Sequence, residues 1–118
     1  MKALAIDRNR EDLNILCSVL LAYGFSVDKA SDSHEAIALA SQNIYDLAIA
    51  DMNMETLDLR AFYVNLIARS PALAGRVILM AETLEQSSEN FILETTCPLV
   101  RKPFMAIEFL KVVDGIVA

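Results

Sequence analysis

Residues 45–51 read YDLAIAD, and this stretch decides the fold. Positions 47–50 are apolar without interruption. A strand with one wet face alternates apolar and polar side chains, whereas a strand covered on both faces reads as a continuous apolar run. The run stops abruptly on Asp51. Similar runs recur along the chain. KALAI (2–6) precedes Asp7, VILMA (77–81) precedes Glu82, and PLV (98–100) precedes Arg101 and Lys102. FSVDK (25–29) predicts a further strand, half exposed.

Helical patterns lie between these runs. Asn9 is a candidate cap for a helix in which Leu13, Leu16, Cys17 and Leu20 share a stripe that Ile15, Val19 and Ala22 widen. Gly24 stands where a helix end favours positive φ. DSHE (32–35) predicts a capping box with Asp in the cap position. After a loop at MNMETLD (52–58), Leu59, Phe62, Tyr63, Leu66 and Ile67 give one helical face, which SPALAG (70–75) ends. TLEQ (83–86) opens a fourth helix running to about Glu94, and RKPF (101–104) turns into a fifth with Phe109, Val112, Val113, Ile116 and Val117 on one face. Five βα units in succession predict a doubly wound α/β fold with a parallel sheet and right-handed crossovers.

Composition narrows the setting. The 118 residues suit one domain spanning 1–118, and 55% hydrophobic content with three Gly and three Pro supplies a core rather than disorder. A formal charge of −6, with ten scattered Lys and Arg, argues against direct nucleic-acid binding, which needs a basic stripe. No apolar run approaches a membrane span, and MKALAIDRN meets charge too early for a signal peptide. Cys17 and Cys97 have neither CxxC nor metal spacing and read as free thiols of a cytoplasmic protein. His34 lacks acids or thiols at ligand spacing and reads as a surface histidine. Met52 and Met54 flank the loop after Asp51, suited to packing or to a partner. Glu82, Glu85, Glu89 and Glu94 give the fourth helix an acidic face, either solvated or docking a basic partner.

Open parallel sheets place their sites at the carboxyl ends of the strands. That rule selects Asp7 and Arg8, Asp51, Ala81 and Glu82, and Arg101, Lys102 and Pro103. Two aspartates there have the chemistry to hold a hard divalent ion. An aspartate is also a nucleophile for phosphoryl transfer, forming an acyl phosphate, and a lysine serves as a point charge on the phosphoryl group.

These residues resemble the receiver domain of two-component response regulators. YDLAIADMNM is similar to the segment ending in the phosphoacceptor, which implies that role for Asp51, and RKPF is similar to the Lys-Pro-Phe ending, which implies phosphate sensing by Lys102. The resemblance further implies metal ligation by Asp7, Asp51 and the backbone carbonyl of Asn53. It implies a flavodoxin-like (βα)5 sheet of order 2-1-3-4-5 and a place in phosphorelay signalling. The implied partners are a sensor histidine kinase or other signalling protein, and an output domain or target at the face of helix 4, strand 5 and helix 5. Homodimerisation through that face stays open, as does whether the chain is a stand-alone protein or part of a longer one.

The departures are as informative. Arg8 stands where the family carries a second acid, Ala81 where it carries Thr or Ser, Leu99 where it carries Tyr or Phe, and Glu55 replaces a proline. At ~6 Å and an effective dielectric of ~20, a guanidinium repels Mg²⁺ by on the order of 5 kcal/mol. Half of that weakens binding roughly 50-fold. We therefore expect Arg8 to substitute for the cation by pairing with Asp7 or Asp51 in a metal-free site, or else to point into water with the metal lost. Ala81 offers no hydroxyl and Leu99 no polar tip, so the switch positions lack their usual parts.

Three functions compete. A Mg²⁺-dependent phosphoacceptor is supported by Asp7, Asp51 and Lys102. A degenerate receiver, signalling by protein contact without phosphorylation or cofactor, is supported by Arg8, Ala81 and Leu99, and is preferred. An enzyme or nucleotide domain is disfavoured, because DRNRED (7–12) has no Gly and position 53 is Asn rather than an acid. Arg8→Asp is expected to give Mg²⁺ binding measurable by titration calorimetry; equal binding by the unmodified chain would refute this account of Arg8.

Overall fold

The computed structural model describes residues 1–52, 58–83 and 86–118, with the side chains of 86–89 outside the description. Five strands are present: β1 (Lys2–Ile6), β2 (Ser26–Ala30), β3 (Leu47–Asp51), β4 (Val77–Ala81) and β5 (Leu99–Arg101). Five α-helices alternate with them: α1 (Arg10–Tyr23), α2 (Ser33–Gln42), α3 (Leu59–Arg69), α4 (Gln86–Thr95) and α5 (Ala106–Val117). The strands form one sheet in the order β2-β1-β3-β4-β5, every neighbouring pair parallel. This is the expected doubly wound, flavodoxin-like arrangement.

The uninterrupted apolar runs have the meaning assigned to them. Side chains alternate across a strand. Leu4, Ile6, Ala48, Ala50, Leu79 and Ala81 therefore face a core that includes Phe62 and Leu66 of α3 and Phe91 of α4. Ala3, Ala5, Leu47, Ile49, Ile78 and Met80 face the other way, onto Leu13, Leu16 and Leu20 of α1 and Phe109 and Val113 of α5. β3 and β4 are buried at every residue. β2 lies at the sheet edge and is only partly covered, as its mixed composition requires.

Local signals set the helix limits. Asn9 accepts a hydrogen bond from the Asp12 N–H, Asp32 from that of Glu35, and Asp58 from that of Ala61. Gly24 has φ 121°, and its N–H donates to the carbonyls of Leu20 and Leu21. The proposed TLEQ capping box includes residues outside those described. Two expectations need correction. Ile15 is 54% exposed and Ala22 is exposed, so the apolar stripe of α1 is narrower than its sequence suggests. β2 and β5 each begin one residue later than predicted, and β3 begins two residues later than the strand that YDLAIA (45–50) predicts.

The end of the sheet away from Asp51 is tied by polar contacts. The buried Tyr45 hydroxyl donates to Asp28 at 2.7 Å, and the Lys2 ammonium lies 3.2 Å from the same carboxylate. Lys2 N–H donates to Asp46 at 2.7 Å. Tyr45→Phe is expected to lower stability by about 1 kcal/mol, because Asp28 keeps access to water. Urea unfolding should show a lower midpoint with an unchanged slope.

Candidate functional site: three carboxylates around a lysine

The strand register builds the site. Ile6 pairs with Ala50 on one side and Ala30 on the other, so the next residues, Asp7 and Asp51, come out side by side at the carboxyl edge. They straddle the point at which strand order reverses, where α/β sheets open a crevice. Asp7 stays in the sheet through its N–H, which donates to the Ala30 carbonyl at 3.0 Å, and the Met52 N–H donates to Met80 at 2.8 Å. Both carboxylates are nearly sealed, with Asp7 2% and Asp51 5% exposed.

Lys102 arrives from β5. Its backbone N–H donates to the carbonyl of Ala81 at 2.9 Å, extending the β4–β5 pairing by one residue. The side chain then crosses the ends of β4 and β3. Its Nζ lies 2.6 Å from Asp7 Oδ2, 3.1 Å from Asp12 Oδ2 and 3.7 Å from Asp51 Oδ1. The first two are hydrogen bonds; the third is an electrostatic contact without one. Asp7 Oδ1 accepts the Asn9 N–H at 2.9 Å. Burial opposes the charged amine, but the hydrogen bond to Asp7, the charge of Asp51 and the hydrogen bond to Asp12 outweigh it. The Lys102 pKa therefore ends above the ordinary lysine value, and the group is an ammonium at neutral pH.

The structure thus brings Asp7, Asp51 and Lys102 together, as the strand-end rule predicts. Ala81 is fully buried and contributes its carbonyl to Lys102. Leu99 pairs with Leu79 and packs, partly buried, against the α3–α4 side of the core. Asn53 lies outside the described residues, as do Met54 and Glu55. Arg8 is exposed at the rim, beside a pocket it shares with Arg10, Lys29 and Ser31. Asp7 is engaged by Asn9 and Lys102. His34 is exposed, as expected for a surface histidine.

Asp12 is the residue that sequence reasoning missed. It is the third residue of a helix capped by Asn9, where an acid is explained by the helix dipole alone. A signal was present: side chains in a first turn lean toward the helix N-terminus, and this helix begins three residues beyond the site aspartate.

No family model matches the chain, and no curated protein matches it. Solved structures do. Chemotaxis protein CheY4 of Vibrio cholerae superimposes with a TM-score of 0.86 at 22% identity, over 98% of this chain and 97% of that one. A response regulator receiver domain from Clostridium thermocellum gives 0.84 at 23% identity, over 98% and 93%. The receiver domain of the sensor histidine kinase PA1611 of Pseudomonas aeruginosa, with a magnesium ion coordinated in its active-site cleft, gives 0.84 at 18%, over 98% and 96%. The fold is that of receiver domains.

A receiver fold raises the question of a metal. The described donors fit one poorly. An ammonium sits among the carboxylates, the second oxygen of Asp7 is held by a backbone N–H, and position 8 offers a cation in place of a ligand. Lys102→Met is expected to cost about 3 kcal/mol in urea unfolding, because it leaves two nearly buried carboxylates without their ammonium. A cost below about 0.5 kcal/mol would mean that water already screens the group.

Proposed function

We propose that the chain is a receiver-like domain of two-component phosphorelay signalling that acts by protein contact, without phosphorylation of Asp51 and without a resident Mg²⁺. One observation carries this reading: the Lys102 ammonium lies among the site carboxylates, hydrogen-bonded to Asp7 and Asp12 and not to Asp51. Arg8 at the rim adds repulsion toward any divalent ion. Ala81 brings no hydroxyl to the end of β4, and Leu99 is an apolar side chain already packed on the core. A phosphoryl group on Asp51 would meet neither of the side chains through which the resembled family passes its signal on.

Contact with another protein has a surface to use. Leu93 of α4 is 77% exposed, and Met105 and Ile107 at the start of α5 are 64% and 68% exposed. They flank β5, the face by which the resembled domains meet kinases, output modules or a second copy. A sensor histidine kinase or another signalling protein is the partner class this reading assigns. Catalytic turnover is not part of it.

The alternative is a phosphoacceptor working through Asp51 with Mg²⁺, favoured by the near-sealed Asp51 with an ammonium 3.7 Å away and by the magnesium in the PA1611 receiver domain. Incubation with Mg²⁺ and a small phosphodonor separates the two. Intact mass spectrometry is expected to show the unmodified protein. A phosphoryl adduct that disappears in Asp51→Asn would establish the alternative.

A further inference from the structure

We propose that Asp12 is the positioning residue for Lys102, doing from the first turn of α1 what an acid at position 8 does not do here. Three carboxylates compete for one ammonium, and the distances rank them: Asp7 at 2.6 Å, Asp12 at 3.1 Å and Asp51 at 3.7 Å. Asp7 and Asp12 both accept hydrogen bonds from Nζ. Toward Asp51 the ammonium keeps only an electrostatic contact. Asp12 therefore decides where the ammonium stands: with it, the amine is drawn to the α1 side of the crevice and away from the β3 aspartate.

Several features make Asp12 a rigid anchor. Its backbone N–H is held by the Asn9 side chain at 3.0 Å, and the Asn9 N–H is held by Asp7 at 2.9 Å. The turn from β1 into α1 is thereby clipped at both ends, and Asp7 and Asp12 face Lys102 as one unit. The Asp12 side chain is 33% exposed, so it keeps its hydration while reaching the amine. Lys102 itself is 8% exposed and lines a groove with Asp12, Ile15, Glu82, Pro103 and Phe104. Asp12 is thus the gatepost between the ammonium and water.

The inference rests on the metal-free reading in one respect: an ion on Asp7 would compete with Lys102. The test is therefore run in chelator and again with Mg²⁺. In chelator, NMR of the intact chain should show coupling through hydrogen bonds from Lys102 ¹⁵Nζ to the carboxyl carbons of Asp7 and Asp12. Coupling to Asp51 with none to Asp12 would overturn the proposal. A small amine acylating reagent, read by peptide mass spectrometry, gives the second measurement. Asp12→Asn should raise the labelling of Lys102 relative to Lys2, Lys29 and Lys111 by about tenfold, the lower end for losing one charge-assisted hydrogen bond. Asp12→Glu should restore slow labelling, and Glu11→Gln, which changes the same helix-end charge, should leave it unaltered. Labelling of Lys102 at the original rate in Asp12→Asn would also overturn the proposal. If that variant unfolds, all four lysines react together and the coupling pattern of the unmodified chain decides. Coupling present in chelator and lost on adding Mg²⁺ would uphold Asp12 while refuting the metal-free reading.

Discussion

One ammonium facing three carboxylates is the constraint on which the carboxyl edge of this sheet depends. Asp7 and Asp51 are carried there by two strands buried on both faces, whose register gives them no alternative position. Two ionised carboxylates so close and so dry repel each other unless a cation lies between them. Lys102 supplies it from the far side of the sheet, and Asp12 shares it from the helix. The arrangement joins β1, α1, β3 and β5 through one charged group. A fold whose apolar layers specify only which face is inward thereby gains a fixed relation between its first loop and its last.

The same arrangement explains why Arg8 is tolerated. A second acid at position 8 would add a fourth negative charge to a group that Lys102 already under-compensates. A cation at the rim adds no such charge. Arg8 is exposed at the rim, while Asp7 is held by the Asn9 N–H and the Lys102 ammonium. Field effects of an exposed charge are modest, which places the weight of the site on Lys102 and the strands that hold it.

The sequence made the sheet legible because burial on both faces leaves a signature that few other environments leave. The runs at 2–6, 47–50 and 77–81 admit no wet face, and alternation with helices then fixes parallel pairing. Asp7, Asp51 and Lys102 were legible for a topological reason: they follow the last residues of their strands. Asp12 was not, because its role depends on the angle at which α1 leaves β1, a tertiary quantity that no local pattern encodes. Ile15 was misjudged for the same reason. Its spacing fits the stripe, yet the helix presents it to solvent beside the groove that Lys102 lines.

Where the ammonium stands also determines what the site can communicate. In the receiver domains that the sequence resembles, a group at the β3 end acts on side chains at the ends of β4 and β5. Here the β4 end presents the methyl of Ala81, and Leu99 on β5 is held by core packing. Among the described residues Lys102 links β5 to β1, running to Asp7 and Asp12. The contact therefore ties the β5–α5 turn to the N-terminus of α1. Ile107, Met105 and Ile15 are exposed apolar side chains close to the two ends of that contact in sequence. The start of α5 and the start of α1, separate in sequence, are thus held in register by one salt-bridged lysine.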